Sequence, residues 1–121
     1  MFTGKKTRFV VYYDHSSDEI TPQSLEVLNR ITGIFFKSPV KDITLKGYTD
    51  SFGNENYDRY MSVERAMRVK NFFVSKGIPA SSLNIYAMGS ENPTGINTTA
   101  EERRKNRRVE IEVNLIQNPQ Q

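Results

Sequence analysis

The sequence contains no cysteine among its 121 residues. That excludes a disulfide framework, a thiol nucleophile and a thiolate metal site. It contains a single histidine, His15, so no multi-histidine metal centre can be assembled. No apolar run approaches the roughly 20 residues that a membrane helix needs. A basic leader followed by a long apolar stretch is also missing, so no signal peptide is visible, and an exported location stays open. There is little excess of either charge: 17 Lys and Arg oppose 14 Asp and Glu, a net charge of +3. So even a balance is a weak footprint for nucleic acid.

What is present is enough for one domain with a real core. Hydrophobic residues make up 36% and charged residues 26% of the chain, too apolar and too evenly spread for a disordered tail. Residues 1–60 carry 8 basic and 8 acidic side chains, whereas 61–121 carry 9 and 6, so the whole excess lies in the second half. Five of those cations, Arg103, Arg104, Lys105, Arg107 and Arg108, fall in one stretch.

Periodicity divides the chain into alternating elements. Residues 1–7 read as a flexible N-terminal segment and 117–121 as a flexible tail, which leaves 8–116 as the domain. The run Arg8–Tyr13 is β-branched and aromatic and reads as a buried strand. Thr21 before Pro22 marks a helix start, since proline at the first helical position gives up no needed hydrogen bond. Leu25, Leu28, Ile31, Thr32, Phe35 and Phe36 continue it at helical spacing to Lys37, where Pro39 stops it. Asp42–Tyr48 alternates as a second strand. The segment from Thr49 to Tyr60 reads as a long polar loop of the kind that carries function. Ser62 is a candidate cap for a second helix with Val63, Ala66, Val69 and Phe73 on one face and Met67 alongside, ending at Gly77. Ser82–Met88 reads as a third strand. Thr98 or Thr99, with acids behind it, opens a short third helix. Val109, Ile111, Val113 and Leu115 alternate with polar residues in a last strand with one face buried and one wet. The order β-α-β-α-β-(α)-β predicts an α+β fold, a two-layer sandwich with helices on one face of a four-stranded mixed sheet.

Two clusters carry chemistry. Asp50 follows the second strand directly, and Arg65 comes 15 residues later on the returning helix. An acid and an arginine at one sheet edge either pair with each other or bind the two halves of a zwitterion. The second cluster is 97–111, NTTAEERRKNRRVEI, whose basic residues are either a solvated face, an anion site or a nucleic-acid patch. No Ser/His/Asp, Cys/His or metal-ligand set can be assembled. Asp50 and Asp58 could mimic the carboxylate pair of a glycosidase, but a neighbouring arginine would keep Asp50 ionised, which suits binding better than acid catalysis.

Three motifs bear a family resemblance. The first is G-[HY]-T-D-x-x-G followed by Y-[ND]-x-x-[LM]-S-x-x-R-A-x-x-V, here Gly47–Asp50, Gly53, Tyr57–Asp58, Met61–Ser62, Arg65–Ala66 and Val69. The second is the K-G-I-P-A-S turn at Lys76–Ser81, followed by a strand and Gly89. The third is N-x-T-x-E-x-R-x-x-N-R-R-V-E-I, here Asn97, Thr99, Glu101, Arg103 and Asn106–Ile111. Their order and spacing, from Phe9 to Val113, resemble the OmpA-like domain, the peptidoglycan-binding module of outer-membrane, peptidoglycan-associated and flagellar-motor proteins.

The resemblance implies non-covalent capture of peptidoglycan at the meso-diaminopimelate of its stem peptide, in the periplasm of a Gram-negative bacterium, anchoring a larger envelope protein. That side chain ends in an ammonium and a carboxylate on one carbon. By resemblance Asp50 takes the ammonium and Arg65 the carboxylate through its fork. Asp14, Thr49, Asp58 and Arg107 are implied secondary contacts, and Gly53, Asn97, Arg103 and Asn106 structure the loops. Arg104, Lys105 and Arg108 are expected in solvent, and His15 in an exposed loop. The family commonly has Asn where Asp58 stands; an ionised Asp only accepts hydrogen bonds. Tyr48 stands for His and Met61 for Leu. The resemblance further implies no enzymatic activity, no cofactor, no nucleic-acid partner, membrane tethering only through parts preceding this segment, and homodimers of the kind some relatives form. The alternative is a protein-interaction or nucleic-acid module using 103–108.

Overall fold

The structure is a computed structural model, and it describes residues 5–14, 17–50, 55–89 and 99–116. The elements run β1 (Lys6–Tyr12), α1 (Pro22–Lys37), β2 (Val40–Tyr48), α2 (Glu55–Ser75), a short 3-10 turn at Ala80–Ser82, β3 (Leu83–Gly89), α3 (Ala100–Asn106) and β4 (Arg108–Leu115). The four strands form one sheet in the order β1-β4-β2-β3. β4 is antiparallel to both β1 and β2, and β2 and β3 are parallel. This is the expected α+β architecture with a mixed sheet.

Local sequence accounts for most boundaries. Thr21 accepts a hydrogen bond from the Ser24 amide and Pro22 occupies the first turn, so α1 is capped as predicted. Gly77, at φ +100°, takes the left-handed turn that follows α2. The core lies on one face of the sheet, where Ile43, Leu45, Val109, Ile111 and Val113 meet Leu28 and Ile31 of α1 and Ala66, Val69 and Phe73 of α2.

Several boundaries and faces differ from the sequence reading. Lys6 and Thr7, expected in the flexible N-terminal segment, already pair with β4. Among the described residues β1 has a strand on one side only, and Val11 is the one residue in it that is buried. On α1 the buried line runs through Ser24, Leu28 and Ile31, leaving Leu25 and Phe36 exposed. α2 begins at Glu55, not after Ser62. Ser62 lies inside the helix and donates its hydroxyl to the Arg59 carbonyl at 2.8 Å. Helical spacing is present among the buried residues Asp58, Met61, Ser62, Arg65, Ala66, Val69 and Phe73. Three of the first four are polar, so hydropathy alone concealed the helix. Met67 is exposed. The outer face of β4 is not simply wet, since Arg108 and Glu112 are both buried.

Candidate ligand-binding site

Four chain segments converge where β1 and β2 end, and Gly47 sets how closely they approach. A Cβ there would strike the Ser62 carbonyl oxygen and lie 2.9 Å from its carbon. The absence of a side chain lets α2 lie directly on β2, which brings Arg65 over the end of the strand.

Arg65 is 1% exposed. Its Nε donates to Ser17 O at 2.9 Å, its Nη1 to Tyr48 O at 3.3 Å and its Nη2 to Asp14 O at 3.3 Å. Its guanidinium also lies over the Tyr13 ring, 5.3 Å from the centroid, and the Tyr13 hydroxyl donates to the Arg65 carbonyl at 3.2 Å. One side chain thus holds the ends of β1 and β2 and the segment that follows Asp14. Burial lowers the Arg65 pKa, opposed chiefly by the negative charge of Asp50. Burial also pushes the Tyr13 phenol well up, against the nearby Arg65 charge.

Asp50 is fully buried. Its Oδ1 accepts from Thr49 Oγ1 at 3.3 Å, and its Oδ2 pairs with Arg107 Nη1 at 3.2 Å. Arg107 Nε donates to Tyr13 O at 3.0 Å, and the Tyr13 amide donates back to Arg107 O at 2.9 Å. Register explains this reach. β4 runs antiparallel between β1 and β2, with Arg108 opposite Tyr12 and Val109 opposite Gly47. The residue before β4 therefore falls beside the ends of both neighbours.

The structure brings Asp50, Thr49, Arg65 and Arg107 together, with Asp14 contributing its carbonyl. Among the described residues, the ion pair of Asp50 is with Arg107 and not with Arg65. Asp58 is buried in the first turns of α2. Arg103 is half-buried on α3, and Asn106 is buried with its Oδ1 3.5 Å from Arg108 Nη1. Gly53, Asn97 and His15 lie outside the described residues.

Arg108 corrects an expectation. It is 3% exposed, not solvated: its Nε donates to Glu110 at 2.8 Å and its guanidinium lies 3.8 Å from the centroid of the Tyr48 ring. The run of cations therefore divides. Arg107 and Arg108 turn inward onto carboxylates, and Arg104 and Lys105 remain exposed. A continuous basic face over 103–108 is not formed. Tyr13 is the site residue that sequence reasoning passed over. Its signal was its position two residues beyond Val11, on the same face. Among the described residues, no group of three or more His, Asp or Glu could hold a metal ion.

Residues 12–107 match the OmpA family, and the chain belongs to that family. The peptidoglycan-binding protein ArfA of Mycobacterium tuberculosis is 35% identical over 104 residues, which cover 86% of this chain and 32% of that protein. Outer membrane protein A of Bordetella avium is 35% identical over 102 residues, 84% of this chain and 53% of that protein. The chain thus spans between about a third and a little over half of these curated relatives. The C-terminal domain of Helicobacter pylori MotB superposes with a TM-score of 0.74 at 31% identity, covering 84% of this chain and 79% of that one. The peptidoglycan-associated lipoprotein of Burkholderia pseudomallei shares the fold, with a TM-score of 0.79 at 23% identity over 87% of this chain and 88% of that one.

Proposed function

We propose that this domain binds cell-wall peptidoglycan by gripping the zwitterionic end of meso-diaminopimelate in the stem peptide. The observation that carries the reading is one buried carboxylate, Asp50, placed beside two buried guanidinium groups, Arg65 and Arg107. The group of three has an excess positive charge. It suits a ligand that brings a carboxylate for the arginines and an ammonium for Asp50. An ionised carboxylate offers about four lone-pair sites, so Asp50 can accept an ammonium beside its two present donors. ArfA, named as a peptidoglycan-binding protein, supports the polymer as ligand. In this reading Asp50 and Arg65 are the primary contacts, and Thr49, Asp14, Asp58 and Arg107 are secondary. The domain is a non-catalytic anchor for a larger envelope protein in the periplasm.

The test is calorimetric titration of a diaminopimelate stem peptide and of the matching lysine peptide, which lacks the second carboxylate. Saturable binding of the first is expected. The second should bind more weakly by about 2–5 kcal/mol, the cost of leaving a buried cation without its partner. Equal affinity for both peptides would overturn the diaminopimelate assignment, and absence of any binding would overturn the proposed function.

A further inference from the structure

Tyr13 touches both arginines that flank Asp50. Its hydroxyl donates to Arg65 O at 3.2 Å, and the Arg65 guanidinium carbon stands over its ring, 5.3 Å from the centroid. Its main chain holds Arg107 twice: Tyr13 O accepts from Arg107 Nε at 3.0 Å, and the Tyr13 amide donates to Arg107 O at 2.9 Å. The side chain is fully withdrawn from solvent. Leucine or phenylalanine would serve a core position with no polar group to satisfy, and a buried hydroxyl is costly unless it is bonded.

The state of Arg65 gives the ring a purpose. Its guanidinium is buried, and among the described residues it forms no ion pair. Asp50, whose charge acts on it, is paired with Arg107 instead. Arg65 Nε gives its N–H to Ser17 O, and Nη1 and Nη2 each give one to Tyr48 O and Asp14 O. Among the described residues, each Nη keeps its second N–H for a ligand. A carboxylate beside Arg65 would cancel its charge. Carbonyls and the face of an aromatic ring stabilise a desolvated cation and leave the charge in place.

We infer that, on the diaminopimelate reading proposed above, Tyr13 is the positioning residue that sets the preference for diaminopimelate over lysine. Its ring holds the Arg65 guanidinium where the remaining N–H groups meet the second carboxylate of the ligand. It leaves the cation for that carboxylate to neutralise. The hydroxyl ties the ring to α2, so Arg65 and its support stay in register. Arg107 is held by the Tyr13 main chain, so replacing the side chain acts on Arg65 and spares the Arg107–Asp50 pair.

The experiment compares wild type with Tyr13→Phe, Tyr13→Leu, and proteins carrying fluorinated phenylalanines at position 13. Fluorine drains negative charge from the ring face while the ring keeps its shape, so those proteins test the ring even if Tyr13→Leu fails to fold. In the free proteins, NMR follows exchange of the Arg65 Nε–H, assigned by its loss in Arg65→Lys. Exchange should be slow in wild type and Tyr13→Phe, quicken with each added fluorine, and be about tenfold faster in Tyr13→Leu. Calorimetry then gives the affinity ratio of the diaminopimelate and lysine stem peptides. Tyr13→Phe keeps the ring and should keep the ratio. Fluorination should lower it stepwise, and Tyr13→Leu by about tenfold, through weaker binding of the diaminopimelate peptide alone. A purely structural role would weaken both peptides alike. A ratio indifferent to fluorination, or a parallel fall for both peptides, would overturn the proposal. If neither peptide binds wild type, the function proposed above falls and the free proteins decide: equal Arg65 Nε–H exchange in all of them would overturn the role of Tyr13.

Discussion

Arg107 Nη1 lies 3.2 Å from Asp50 Oδ2, and both side chains are withdrawn from solvent although 57 residues separate them in sequence. The pair ties the turn before β4 to the end of β2. It also means that a substitution in the site is a substitution in the core. Removing one partner of a buried pair leaves an uncompensated charge.

Asp50→Ala should therefore destabilise the fold by about 3–5 kcal/mol, as read by urea denaturation. The double variant Asp50→Ala/Arg107→Ala should lose less than the sum of the two single losses, with a coupling of about 1–3 kcal/mol. Additive losses would show that the contact contributes nothing. Asp50→Asn keeps the shape and is the cleaner variant for binding work.

Arg65→Lys should behave as a severe change. An ammonium on a flexible stem cannot reach the carbonyls of Asp14, Ser17 and Tyr48 together. Each lost hydrogen bond to a charged group costs about 1.5–3 kcal/mol. Hydrogen exchange should quicken at the Ser17 amide, which bonds to the Asp14 carbonyl at 3.1 Å. Unchanged exchange there would deny Arg65 its role as a clamp on that segment.

Gly47→Ala should cost about 1–3 kcal/mol through overpacking, because the new methyl meets the Ser62 backbone. The helix must lift from β2 to admit it, which draws Arg65 from the Tyr48 carbonyl. Thermal melting reads the first effect and stem-peptide affinity the second. A variant with wild-type stability would show that α2 has slack over the strand.

Glu112 gives a pH prediction. Burial alone would raise its carboxyl pKa, but hydrogen bonds from Lys46 and Lys6 more than offset this, and the value lies below the ordinary 4.5. A carboxylate with a depressed folded pKa adds stability above its unfolded pKa and loses it as pH falls through the folded one. Glu112→Gln should thus be less stable at pH 7 and show a shallower loss of stability below about pH 4.5. Parallel acid limbs in the two proteins would refute the linkage.

The alternation of Val109, Ile111 and Val113 and the Thr21–Pro22 start were legible because each depends on neighbours within a turn or a strand. The spacing of Gly47, Asp50 and Arg65 marked the site, since a strand and its returning helix must meet. The first three turns of α2 were not legible: their inward face carries Asp58, Ser62 and Arg65, polar residues that are nonetheless buried. Nor could the sequence tell Arg107 and Arg108 from Arg104 and Lys105. All four lie in one basic run, and only the placement of β4 between β1 and β2 decides which cations meet Asp50, Glu110 and the Tyr48 ring. The sequence by itself determined the elements, their order and the family, because these rest on local periodicity and spacing. Tertiary structure decided which charges are buried and which partner each one takes. Those outcomes depend on register between segments far apart in the chain.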